Sequence, residues 1–136
     1  MEKGLCHGRG RAVTSGPDFR DSPGAPEPGT ALGPADAITE TQSGVFTFGL
    51  DVVQFEMFVL CHHGKLVAYV NHCPHVQSPL DWKPGEFLNK DRTYIFCTMH
   101  GAEFEIATGR CVDGPCRGEY LTRVPIEVQG GMVYVT

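Results

Sequence analysis

Two short clusters of metal-binding residues constrain this chain more than any other feature. The first is Cys73-Pro74-His75 and the second is Cys97-Thr98-Met99-His100, with 21 residues between them. Each cluster offers one sulfur and one imidazole nitrogen, so together they supply two cysteine and two histidine ligands. A site that uses all four requires two loops, distant in sequence, to meet face to face.

Zinc and a two-iron cluster are the two metal centres that this ligand set favours. Zinc sites with two cysteines and two histidines usually use a Cys-x₂₋₄-Cys pair and a His-x₃₋₅-His pair, whereas each pair here is mixed. The mixed order suits a [2Fe–2S] centre in which two histidines replace two cysteines on one iron. Each loop then gives one ligand to each iron. We therefore expect an iron–sulfur cluster, with zinc or a site that has lost its metal as the alternatives.

The residues after the second cluster extend this pattern. His100-Gly-Ala-Glu-Phe104, Thr108-Gly109 and Asp113-Gly-Pro115 follow in order. With these motifs the chain resembles the Rieske iron–sulfur family, and within it the small ferredoxin-like members, over roughly residues 45–135. The resemblance implies one [2Fe–2S] cluster per chain. It also implies that the segment Asp113–Pro115 covers the cluster.

The resemblance assigns a role to each of the four ligands. Cys73 and Cys97 would bind the inner ferric iron, and His75 and His100 would bind the outer iron, which is the one reduced. Neutral imidazole ligands lower the negative charge of the cluster and raise its reduction potential relative to clusters with four cysteines.

Two departures from the high-potential branch of the family concern the reduction potential. That branch joins its cluster loops by a disulfide and places hydroxyl side chains after the second histidine. Ala102 and Phe104 stand here in place of those hydroxyl residues. Hydrogen bonds to the sulfurs stabilise the reduced cluster, so we expect a low potential. The loop positions that correspond to the disulfide region hold Val76, Gln77, Ser78 and Met99.

The other cysteines are expected to take no part in the cluster. Cys111 and Cys116 have the spacing that begins the plant-type cluster pattern, but Glu119 stands where the third cysteine of that pattern would be. We expect both to be structural thiols, and we expect Cys61 to be buried in a strand.

Charge and composition argue against two classes of partner. The chain has 11 Lys and Arg residues against 16 Asp and Glu residues, a net charge of −5, and no basic run, so nucleic acid and anionic membranes are poor partners. No apolar stretch approaches the about 20 residues of a transmembrane helix, and the N-terminus lacks the apolar region of a signal peptide. We therefore expect a cytoplasmic protein. There, six cysteines favour metal ligation over a disulfide framework.

Residues 1–44 differ in composition from the rest of the chain. They hold 5 of the 10 prolines, eight glycines and a single aromatic residue, Phe19. Such a segment buries too little apolar surface to offset the entropy lost on ordering. We expect a disordered or loosely structured tail over residues 1–44 and one Rieske domain over residues 45–136.

From residue 45 onward, short β-type runs alternate with turns that contain glycine or proline. Hairpins are predicted at 54–70 around Gly64 and at 122–135 around Gly130-Gly131, and a strand at 93–96 leads into Cys97. Pro125 indicates an edge strand or a bulge. The pattern predicts an all-β fold, a small antiparallel β-sandwich or partial barrel. The resemblance adds a two-loop subdomain that binds the cluster.

The resemblance implies a one-electron carrier without a catalytic site of its own. Its partners would be a flavoprotein reductase and an oxygenase or other terminal enzyme. Rieske oxygenases carry a further mononuclear iron site of two histidines and a carboxylate in a large C-terminal domain. This chain ends at Thr136, 36 residues after His100, so we expect that domain to be absent. The alternatives are a small subunit of a larger reductase, such as assimilatory nitrite reductase, and a non-redox zinc-binding or structural module.

Overall fold

Nine short strands make up most of the part of the chain that the structure describes. The computed structural model describes residues 24–38, 43–50, 53–72, 80, 86–97 and 101–136, and within them the strands form three antiparallel sheets of three strands each. The all-β class predicted from the sequence is confirmed. The strands are β1 (Ala31–Pro34), β2 (Gly44–Leu50), β3 (Val53–His62), β4 (Lys65–Val70), β5 (Tyr94–Cys97), β6 (Ala102–Glu105), β7 (Cys111–Asp113), β8 (Ile126–Gln129) and β9 (Met132–Val135).

The middle sheet, in the order β2-β3-β4, is buried on both faces along β3 and β4. These two strands form the hairpin predicted around Gly64, with His62 opposite Lys65. Successive side chains of a strand point to opposite faces, and the unbroken apolar runs of β3 and β4 are typical of a sheet covered on both sides. The residues directed to one face are Phe55, Met57, Val59, Cys61, Leu66, Ala68 and Val70, and those directed to the other are Phe58, Leu60, Val67 and Tyr69.

Each face of the middle sheet packs against its own hydrophobic core. The first core joins it to the sheet β1-β9-β8, and the second core joins it to the sheet β5-β6-β7. In the second core Phe58 stacks on Phe87, with 4.0 Å between ring centroids and 11° between ring planes, an arrangement that adds to the area term of aromatic burial. The second core also contains Cys97, so it supports the expected metal centre.

Strand β1 is the main difference from the sequence prediction. The sequence predicts a loose tail over residues 1–44, but Ala31–Pro34 pairs antiparallel with β9 and Leu32 is buried in the first core. A 3₁₀ helix, Ala35–Ala37, follows it. This short run lies among glycines and prolines and takes its β structure from pairing with β9, which a local pattern does not show. Residues 1–23 lie outside the described part of the chain, so a tail there stays a prediction.

The C-terminal hairpin agrees with its sequence pattern. Strands β8 and β9 pair across the Gly130-Gly131 turn, with Gln129 opposite Met132. Pro125 directly precedes β8, which lies at an edge of its sheet, as its missing N–H requires. Across the residues that the structure describes, no helix has the length and apolarity to cross a bilayer.

Candidate metal centre

The second ligand pair belongs to the turn between β5 and β6. Cys97 ends β5 and pairs with Ala102, the first residue of β6. The Gly101 N–H donates a hydrogen bond to the Cys97 carbonyl at 3.0 Å, which closes the turn. The Cys97 side chain is only 1 % exposed and packs within the second core. A buried thiol at the end of a rigid strand suits a ligand of the inner iron, since it needs no reordering to bind.

Asn71 joins the two ends of the segment that carries the first ligand pair. It follows β4, and its Oδ1 accepts the Leu80 N–H at 2.7 Å in a buried contact. The Asn71 backbone N–H donates to the Glu56 carbonyl at 2.8 Å, which attaches Asn71 to β3. This hydrogen bond holds Asn71 beside Leu80, and both are described residues that flank residues 73–79. The sequence signal that could have identified Asn71 is a polar residue between the apolar run of β4 and Cys73.

Both ligand segments border the second core. Leu80, just after the first ligand pair, and Cys97, in the second, belong to this same core. Two loops that begin from one core can face each other, which a cluster shared between loops requires. The donor set, with a buried cysteine at one loop base, therefore fits a [2Fe–2S] cluster.

The remaining ligands lie outside the described residues. These are Cys73, His75 and His100, and the structure gives no geometry for them. Among the residues it does describe, no three His, Cys, Asp or Glu side chains are grouped so as to hold a metal. The assignment of the four ligands therefore stays a prediction.

The segment Asp113–Pro115 lies beside the second ligand pair. A Cβ atom at Gly114 would lie 2.7 Å from the Ala102 Cα, closer than real side chains approach, so glycine permits this contact. The Asp113 carboxylate accepts the Gly114 N–H at 3.0 Å and braces the turn. Ala102 is the strand partner of Cys97, so this position supports the expectation that the segment covers the cluster.

Tyr69 supports the far end of β6. Its ring is fully buried, and its hydroxyl donates a hydrogen bond to the Ile106 carbonyl at 2.7 Å. Burial raises the pKa of Tyr69 above its ordinary value, and although the positive charge of Arg123 opposes this shift, Glu105 adds to it. The phenol therefore stays protonated, and keeps donating, well into the alkaline range.

The other described cysteines occupy both cores. Cys111 and Cys116 are buried thiols in the second core. Cys61 is buried in β3, as predicted, but it is also disulfide-bonded. The sequence favours metal ligation over disulfides, so this bond differs from expectation.

We predict that Asn71→Ala lowers the free energy of unfolding by about 1–3 kcal/mol, because the buried Leu80 N–H loses its acceptor. The control is Thr108→Ala, which removes an acceptor for the Arg110 N–H at an exposed turn. There water replaces the lost acceptor, and the loss should be smaller. Urea unfolding measures both. Equal losses in the two variants would contradict the special role of Asn71.

Comparison with known proteins gives one family. The Rieske [2Fe-2S] domain model matches residues 32–128. A search of curated proteins finds no significant match.

Solved structures give the same fold. A chain in the reduced complex between oxygenase and ferredoxin of carbazole 1,9a-dioxygenase is 18 % identical with a TM-score of 0.66, and the match covers 82 % of this chain and 29 % of that one. The ferredoxin of Sphingomonas yanoikuyae B1 is 21 % identical with a TM-score of 0.56, over 79 % and 96 % of the two chains. The ferredoxin of carbazole 1,9a-dioxygenase from Nocardioides aromaticivorans IC177 is 21 % identical with a TM-score of 0.56, over 85 % and 97 %.

The extent of these matches differs between the two kinds of neighbour. This chain spans less than a third of the chain from the oxygenase–ferredoxin complex and nearly all of each ferredoxin. At these identities the likeness concerns the fold. The family model is independent of it and includes all four predicted ligands. The resemblance seen in the sequence is confirmed, and the chain belongs to the Rieske [2Fe-2S] domain family.

Proposed function

We propose that this chain is a one-electron carrier that accepts an electron from a reductase and delivers it to an oxygenase or other terminal enzyme. Cys73, His75, Cys97 and His100 hold its cluster in this proposal. The observation that carries it is the family match across both ligand pairs. A fold shared with two ferredoxins over nearly their whole length adds support. The bound cluster supplies a store for one electron.

The described residues next to the ligand pairs suit this role because strand pairing, core packing and a buried hydrogen bond fix their positions. Cys97 is immobilised at the end of β5 by strand pairing and by the second core. Asn71 holds the ends of the other loop together through its bond to Leu80. A rigid site exchanges electrons with little rearrangement. A solved complex of oxygenase with ferredoxin among the structural neighbours supports an oxygenase as partner.

Metal and sulfide analysis tests the proposal. We expect about two irons and two acid-labile sulfides per chain, as a [2Fe–2S] cluster requires, and a reddish-brown protein. Reduction should give the electron paramagnetic resonance signal with low average g that histidine ligation produces. A colourless protein with stoichiometric zinc would reject the proposal in favour of a zinc-binding module.

The reduction potential separates a ferredoxin from a quinol-oxidising protein. We predict a midpoint below about 0 mV at pH 7, toward the roughly −150 mV end of the Rieske range. Ala102→Ser should raise it by adding a hydroxyl donor next to Cys97. The control Ala107→Ser adds the same hydroxyl at an exposed turn and should leave the potential unchanged. Protein-film voltammetry measures all three, and a midpoint above roughly +200 mV would place the protein in the high-potential branch.

A cytoplasmic location is part of the proposal, and the predicted use of Cys73 and Cys97 as metal ligands supports it, because metal ligation is typical of cysteines in reducing compartments. Fractionation of cells that express the chain with a C-terminal tag tests the location. Recovery with the cytoplasmic marker is expected, and recovery with an exported marker would overturn this part of the proposal.

A further inference from the structure

Cys111 and Cys116 form a pair of buried thiols beside the proposed cluster. The Cys116 S–H donates to the Cys111 sulfur, with 3.2 Å between the two atoms. The Cys111 S–H in turn donates to the Asp113 carbonyl at 3.2 Å. A disulfide has a bond length of about 2.05 Å, so an approach of roughly 1.2 Å would join the sulfurs.

The backbone holds the two thiols at this separation. The Cys111 N–H donates to the Glu119 carbonyl at 2.7 Å, and the Gly118 N–H donates to the Cys111 carbonyl at 3.0 Å. The Glu119 N–H donates to the Cys116 carbonyl at 2.9 Å and closes the loop a second time. These bonds keep Cys111 opposite the residues that follow Cys116. The thiols therefore stay adjacent without help from distant parts of the fold.

The segment around Cys116 lies at the protein surface, although both thiols are buried. Both cysteine side chains are buried, at 0 % and 1 % exposure. Most residues around Cys116 are exposed, namely Asp113, Pro115, Arg117, Gly118 and Glu119. Cys116 therefore lies within a short surface segment, whose local opening would give a small molecule access to its sulfur. Neither thiol belongs to the proposed ligand set, so both are available for other chemistry.

We propose that Cys111 and Cys116 are a redox-active dithiol that closes to a disulfide by exchange with a small-molecule disulfide such as oxidised glutathione. One thiol, as the thiolate, attacks a glutathione sulfur, breaks its S–S bond and releases the first glutathione thiol. The second cysteine attacks the resulting mixed disulfide, forms the Cys111–Cys116 bond and releases the second glutathione thiol. The protein loses two electrons and two protons, and glutathione gains both. Excess reduced glutathione reverses each step.

Closure of this bond would lock the segment beside the second ligand pair. Gly114 lies between the two cysteines and packs against Ala102, the strand partner of Cys97. A disulfide that restrains both ends of this segment resists its opening. The expected consequence is slower loss of the cluster. This consequence, unlike the disulfide itself, rests on the proposed function.

Trypsin gives a direct assay, because Arg110 and Arg117 flank the pair. Cleavage after both releases residues 111–117, a peptide that contains Cys111 and Cys116 and no other cysteine. The holoprotein is equilibrated in buffers of varied oxidised-to-reduced glutathione ratio, quenched in acid, alkylated under denaturing conditions and digested. At high ratios we expect the peptide to carry no alkyl label and to be lighter than the unlabelled dithiol peptide by the mass of two hydrogens. Reduction with dithiothreitol before alkylation should restore both labels.

Two controls separate the native geometry from simple nearness in sequence. In Cys116→Ser the exchange should stop at a glutathione adduct on Cys111, since no resolving thiol remains. In urea-unfolded wild-type protein, closure should need an about tenfold higher glutathione ratio, because the fold no longer holds the sulfurs together. Two alkyl labels at every ratio, a persistent adduct in the wild type, or equal closure in the unfolded chain would each overturn the proposal.

The effect on the cluster is measured separately. Visible absorbance is followed after an iron chelator is added to the disulfide and dithiol forms of the holoprotein. We expect at least a severalfold slower loss in the disulfide form and no such difference for Cys116→Ser treated in the same way. Equal rates of cluster loss in the two forms of the wild-type protein would reject the effect on the cluster. The peptide assay would still decide whether the disulfide forms. Absence of any cluster would instead reject the proposed function.

Discussion

We expect Cys97→Ser to yield a colourless protein that retains no [2Fe–2S] cluster. A serine hydroxyl is not ionised near neutral pH, so it cannot replace the thiolate that binds iron. The residue is also buried at the end of β5. Cluster binding orders the loops that hold it, so the variant should unfold at lower urea concentration as well. Visible absorbance, iron content and urea unfolding measure these effects.

Cys111→Ser and Cys116→Ser are the matched controls for this prediction. All three cysteines are thiols within the same core, with 0 to 1 % exposure, and all three changes replace sulfur by oxygen. The control variants should lose some stability through a buried hydroxyl but keep the cluster spectrum. Loss of the spectrum in Cys111→Ser, with retention in Cys97→Ser, would show that the wrong thiols are assigned to the cluster.

Gly109→Ala should lower the free energy of unfolding by about 2–5 kcal/mol. This range adds the cost of a strained backbone to the cost of an overpacked core. Gly109 has a φ of +78°, and a Cβ atom there would lie 2.7 Å from a ring carbon of Tyr69. The ring cannot easily yield, because it is fully buried and its hydroxyl is bound to the Ile106 carbonyl. Such a loss is a large share of the stability of an ordinary domain. Urea unfolding measures it.

Gly64→Ala isolates the backbone part of this effect. Gly64 has a φ of +77°, almost that of Gly109, and nothing lies within 4 Å of a Cβ atom built there. Its replacement should cost only the left-handed conformation, about 1–2 kcal/mol. The difference between the two variants then measures the contact with Tyr69. If both variants lose the same stability, the buried ring is not the cause and it yields to the added methyl group.

The strands that bear the site are the part of the fold that local sequence patterns predict well. The hairpins around Gly64 and Gly130-Gly131, and the strand before Cys97, each combine a β-type run with a turn residue that the backbone requires there. Their partners lie nearby in sequence, so pairing follows from the turn. The ligand pairs after β4 and β5 were placed by the same reasoning. Of the four ligands, the structure describes Cys97 alone, at the predicted strand end.

Contacts between distant segments were not predictable in this way. Strand β1 depends on β9, about a hundred residues further along the chain. Asn71 gains its role only when Leu80 returns to it across the ligand segment. In each case the partner is set by tertiary packing, which a local pattern of residue types does not contain.

The alternation of β3 and β4 between two cores also protects the pairing of these strands against slippage. A shift of one residue would move every side chain of a strand to the opposite face. In a sheet with one solvent-exposed face, such a slip moves one set of apolar side chains, those of the buried face, into solvent. Here it would press Tyr69 into the space shaped for Ala68 and leave a void where the ring had been, on both sides of the sheet at once. The register that positions Asn71, at the start of the first ligand segment, is therefore specified by both cores.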